Sequence, residues 1–146
     1  MSTKEAQNKI IENMKKWQKI ENASVASTGR VIAETDNPIV RLIMEIIQRD
    51  SQMHYRVQEL IEDSLTTKAI ALTPDDVGKV WNSIEKHIEI EKKTIELAKE
   101  SLEAIGKNKG MIVQRYLLEY LLKDEEKHDA VLANLLAIKK DMYPYG

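Results

Sequence analysis

Ile46-Ile47-Gln48-Arg49-Asp50-Ser51-Gln52-Met53-His54 and Tyr120-Leu121-Leu122-Lys123-Asp124-Glu125-Glu126-Lys127-His128 are one pattern written twice. Each has two apolar residues, an aspartate three positions on and a histidine four positions after that, and each is preceded by a glutamate, Glu45 or Glu119. The match continues upstream. Ile20-Glu21 aligns with Ile90-Glu91, Met14 with Ile84, Trp17 with His87, and Val25 with Ile95. A pair of helices in the first half therefore returns as a pair in the second. The repeat predicts an all-α protein, an antiparallel four-helix bundle made of two repeated helical hairpins. The halves are residues 3–65 and 73–141, in a single domain covering 1–146.

The spacing of apolar residues and turn signals sets the helices. Ile10, Met14, Trp17, Val25 and Ile32 recur with a helical period, so a first helix runs from Thr3 to Glu34. Thr35-Asp36-Asn37-Pro38 breaks it, with Asn37 as cap and Pro38 as first residue of the next helix. That helix carries Ile39, Ile43, Ile46, Met53, Val57 and Ile61 and fades near Leu65. Thr73-Pro74-Asp75-Asp76 combines a cap, a proline and two acids at the positive end of a helix dipole. From it a third helix is expected to run unbroken through Val77, Val80, Ile84, Ile88, Ile95 and Leu102 to Ile105. Gly106 closes it, and Lys107-Asn108-Lys109-Gly110 is a turn. A fourth helix spans Met111 to Asp141, and the tail 142–146 reads as irregular. No alternating β-branched run suggests a strand.

Composition narrows the functional classes. Of 146 residues, 42% are hydrophobic and 32% charged, as in a globular domain with one core. No cysteine is present, which rules out disulfides, thiolate zinc sites and iron–sulfur ligation and is compatible with a cytoplasmic setting. No apolar run suits a membrane span or a signal peptide. The formal net charge is -2 with both signs interspersed, so neither nucleic acid nor a membrane surface is the expected partner.

Several polar residues fall on the apolar stripes. At about 100° per residue, Glu21 lies within roughly 40° of Met14, Trp17, Val25, Thr28 and Ile32. Glu91 lies likewise among Ile84, His87, Ile95 and Ala98. Asp50 falls at the centre of its stripe between Ile43 and Val57, with His54 about 40° away. Asp124 and His128 repeat that arrangement, with Glu125 on the flank beside Leu118 and Leu121. All six repeated groups lie about 20 Å along their helices from the turn of their hairpin, so they are expected at one level. A buried carboxylate costs several kcal/mol unless it is paired or bound to a metal. Two readings answer this: a metal-free network pairing each aspartate with a histidine, or one or two metal ions. Carboxylate oxygens with neutral imidazoles suit iron, manganese or zinc.

Asp124-Glu125-Glu126-Lys127-His128, with the lone Glu91 on the preceding helix, resembles half of the ferritin-like di-iron carboxylate proteins, which include rubrerythrin. In that family two helices each supply one Glu and two supply a Glu-x-x-His. The resemblance implies Glu21, Glu91, Glu125, His54 and His128 as ligands, and Asp50 and Asp124 as acceptors orienting the histidine of the other motif. It implies iron, in one or two ions, chemistry on oxygen, peroxide or ferrous ion, and an external electron donor. The chain departs from the pattern at Ser51, where a glutamate belongs. His87, one turn before Glu91, is a candidate replacement. Alternatively Asp50 and Asp124 ligate directly, since Asp and His at i, i+4 share a helix face. A non-catalytic oligomeric bundle with a structural or lost site is the other functional reading. Residues 66–73 reach about 28 Å, too short for the crossover of about 46 Å along a helix of about 31 residues that ferritin-like topology needs. The expected arrangements are up-down-up-down or a hairpin-exchanged dimer, with a homodimer favoured in both.

Overall fold

The computed structural model describes residues 1–67 and 70–141. The expected irregular tail 142–146 lies outside the described residues. The chain is all-helical, and no strand occurs among the described residues. It divides into two compact units, Met1–Ile70 and Ala71–Gly146, each holding one copy of the repeat.

The first unit is a hairpin of α1 (Thr3–Glu34) and α2 (Pro38–Thr66), within a residue of the bounds read from the periodicity. Ser2 caps α1 through a capping box with Glu5. The turn is three residues long. Asn37 accepts from the backbone N–H of Ile39 and Val40, at 2.9 and 3.1 Å, and Pro38 opens α2. Arg41 reaches back to donate to the carbonyls of Ile32 and Thr35, which the end of α1 leaves unpaired.

The second unit differs from expectation at its start. The third predicted helix is two: α3 (Pro74–Gly78) and α4 (Trp81–Ile105). The Thr73 capping box forms, with Asp76 as its acid. The break follows at Lys79 and Val80, where Val80 leaves helical geometry at φ -111, ψ 5. Gly78 and the β-branched Val80 hold a helix weakly. Bending there lets α3 pack on α4 and α5 and buries Val77 to 3% exposure. Gly106 ends α4 with φ 55, and α5 runs Ile112–Lys139. The Arg115 guanidinium donates to the Gly106 carbonyl, doing for this turn what Arg41 does for the other. Lys139 lies over the Trp81 ring, 5.3 Å from its centroid, joining the end of α5 to the start of α4.

Each hairpin buries a narrow seam and leaves an apolar face open. The seam of the first is polar: Glu21, Thr28, Ser51 and Gln58 are its buried residues. In the second, Glu91, Ala98 and Ile105 are buried along α4. Outside the seams, Trp17, Ile20, Met53, Val57 and Leu60 in the first unit, and Ile90, Leu97, Leu121 and Val131 in the second, are each about half exposed or more.

Candidate metal centre

The most developed polar cluster lies in the middle of the second hairpin. Glu91 projects from α4 into the seam with α5 and is 5% exposed. Its Oε1 lies 2.7 Å from Nε2 of His87, one turn earlier on α4, and 3.4 Å from Nδ1 of His128 on α5. Its Oε2 is buried and accepts no hydrogen bond. Glu125 is half-buried beside it, with Oε2 3.7 Å from His128 Nδ1. Ligand atoms of Glu91, Glu125 and His128 all lie within 4.8 Å of one another, close enough to share one ion.

Neighbouring groups hold this cluster in place. The Thr94 hydroxyl lies 3.0 Å from Glu125 Oε2 and 2.7 Å from the Glu91 carbonyl. Asp124 Oδ2 lies 3.4 Å from His128 Nε2, so one imidazole nitrogen faces Asp124 and the other faces the two glutamates. A carboxylate behind a histidine is how ligating imidazoles are commonly oriented. The resemblance assigned Asp124 to the histidine of the other motif; within this hairpin it meets the histidine of its own, because Asp and His at i, i+4 share a face. Lys127 pairs with the other Asp124 oxygen at 2.8 Å.

The first hairpin carries the same skeleton with fewer oxygens. Glu21 is 6% exposed, and its Oε2 lies 3.3 Å from His54 Nδ1, without hydrogen-bond geometry. The Glu21–His54 and Glu91–His128 spacings thus agree within 0.1 Å. Where Thr94 meets Glu125, Ser24 and Ser51 meet instead, with hydroxyls 2.8 Å apart. The departure at Ser51 is therefore a buried serine closed on its neighbour, and no carboxylate stands there.

Other expected residues lie elsewhere. Asp50 was placed at the centre of the buried stripe, but it is exposed. Ser51, one residue on and 100° around, takes the seam, because α1 covers that side of α2 rather than the middle of its apolar arc. Within their own hairpins His54 and His87 stand at the rim of the seam, both over half exposed and beside buried carboxylates. Glu45 is half-buried and Glu119 exposed, and neither takes part in the cluster.

The sequence reading passed over Gln58 and Thr94, and took Ser24 only as one of a run of small residues. Gln58 is 3% exposed, with Oε1 buried and unpartnered, in a cleft it shares with Met14, Trp17, His54, Val57 and Ile61. It lies two turns beyond Ser51 on the same face, a spacing the periodicity contained. The Ser24–Thr94 equivalence was likewise present in the repeat, in step with Glu21 and Glu91.

The fold and the site define a class: an all-helical protein of two repeated hairpins, each with a buried glutamate against a histidine at mid-length. No family model matches the chain, and no curated protein or solved structure matches it.

Proposed function

We propose that this protein binds a transition-metal ion through Glu91, Glu125 and His128, in a ferritin-like helical setting. One observation carries the reading. A carboxylate with 5% exposure keeps an oxygen with no donor while a second carboxylate and an imidazole stand within ligand-sharing distance. Two glutamates brought together in a seam repel each other, and a divalent cation reverses the sign of that interaction. The donor set fits the group: carboxylates and imidazole suit iron, manganese or zinc.

Iron, when bound, supplies the redox chemistry toward oxygen, peroxide or ferrous ion that the resemblance suggests. The chain's own residues prepare the place. Thr94 fixes the Glu125 carboxylate, Asp124 turns His128 Nδ1 toward the glutamates, and Lys127 holds Asp124.

The two hairpins are read as halves of one antiparallel bundle that close through their open apolar faces. The faces close within one chain or between two copies. A solution mass of two chains supports the homodimer; a mass of one chain overturns it and leaves intramolecular closure.

The test is metal analysis of protein purified without chelators, followed by thermal unfolding with added ferrous, manganous or zinc ion. An ion at a hundred times its Kd stabilises by about 2.7 kcal/mol, a rise of about 10 °C for a chain of this size. The reading predicts that rise in the native protein and its loss in Glu91→Gln and His128→Ala. Protein that carries no metal and gains no stability from any of these ions is a metal-free helical scaffold.

A further inference from the structure

At the rim of the Glu91 cluster the hairpins differ in one residue with chemistry of its own: His87 stands where the repeat has Trp17. His87 Nε2 is 2.7 Å from Glu91 Oε1, and His128 Nδ1 is 3.4 Å from that same oxygen. Two donor atoms that each bind one small divalent ion at about 2.1 Å stand roughly 3.0–3.4 Å apart, for angles from square to tetrahedral. The His128 spacing sits at the upper end of that range and the His87 spacing just below it; His87 stands outside the group of ligand atoms that lie within 4.8 Å of one another, so its ligation requires the ring to turn toward Glu125 and His128. The His87 side chain is 54% exposed, so its ring has room to adjust, whereas Glu91 is packed in the seam with one oxygen lacking a donor. The first hairpin cannot offer a matching second carboxylate, because Ser51 occupies the place and is hydrogen-bonded to Ser24.

We propose that His87 is a direct ligand of the ion held by Glu91, Glu125 and His128. The second hairpin alone then presents two imidazole nitrogens and two carboxylates to one ion. This rests on the metal reading of that cluster, and it adds that neither Glu21 nor His54 is required for the ion to bind. A set of two nitrogens and two oxygens selects zinc, ferrous, cobaltous or cupric ion over magnesium and calcium, which prefer all-oxygen shells. In the metal-free chain the short His87–Glu91 hydrogen bond keeps the imidazole beside the carboxylate oxygen it joins in ligating the ion.

The experiment uses cupric ion as probe on the full chain, with electron paramagnetic resonance reading the number of directly coupled imidazole nitrogens. Native protein is expected to show two. His87→Gln and His128→Gln are each expected to lose one nitrogen and at least about tenfold in affinity, with helicity unchanged. His54→Gln is expected to keep both nitrogens. An unchanged nitrogen count in His87→Gln overturns the proposal, as does a nitrogen lost in His54→Gln. If native protein binds copper no better than the Glu91→Gln, His128→Gln double variant, the metal reading itself fails.

Discussion

Gln58 shows how much of this molecule turns on single polar groups in the wrong surroundings. Its Oε1 is buried without a donor among Met14, Trp17, Val57 and Ile61. An unpaired buried amide oxygen costs about 1–3 kcal/mol, and methionine has nearly the same shape with no such group. Gln58→Met is therefore expected to raise stability by about 1 kcal/mol and the melting temperature by about 4 °C, measured on metal-free protein. A fall in melting temperature means that Gln58 holds a partner that the hairpin by itself does not supply. Glu21 and Glu91 were legible as buried carboxylates because each lies mid-stripe in both copies of the repeat. Asp50 lies outside the seam of its own hairpin for an equally physical reason. The apolar arc of α2 is wider than the strip α1 covers, and the middle of the arc is not the middle of the contact.

Element boundaries followed almost entirely from local chemistry. Asn37-Pro38, Thr73-Pro74 and Gly106 act within one turn of the chain, so their effects did not depend on the rest of the molecule. Two glycines carry predictions of opposite sign. Gly106 holds φ 55 with ψ -123, a conformation costly for any residue with a Cβ. Gly106→Ala is expected to destabilise the second hairpin by at least about 1 kcal/mol. Gly78 is helical, and a Cβ there meets nothing within 4 Å. Gly78→Ala is expected to stabilise by about 0.5–1 kcal/mol; denaturant midpoints compare the two. The α3 cap has a pH signature. Hydrogen bonds from the Thr73 backbone N–H, then its hydroxyl, hold the Asp76 carboxyl below the ordinary carboxylate range. The group ionises more readily folded than unfolded, so its contribution is present above that range and is lost as pH falls through the lowered value. Protection of the α3 amides, corrected for the intrinsic exchange rate at each pH, is expected to fall on acidification across that interval, and protection that does not respond would remove the cap from the account.

For the whole molecule the open apolar faces carry the argument. Val57 and Val131, counterparts in the repeat, are 52% and 57% exposed. If the faces stay in water, a charge there behaves as an ordinary surface substitution, within about 0.5 kcal/mol. Closure predicts that Val57→Glu and Val131→Glu each cost about 2 kcal/mol or more in thermal unfolding; near-neutral results at both sites remove the bundle reading.

The amino-acid order alone determined the helices, the turns, the duplication and the two mid-stripe glutamates. Those features depend on contacts a few residues apart or on a period that is visible along the chain. Tertiary structure decided that α3 breaks from the line of α4 and packs on α5, that Ser51 rather than Asp50 enters the seam, and that His87 and Thr94 close on Glu91 and Glu125. Helical phase says which residues share a face. Only the packing of one helix on another says which strip of that face loses its water.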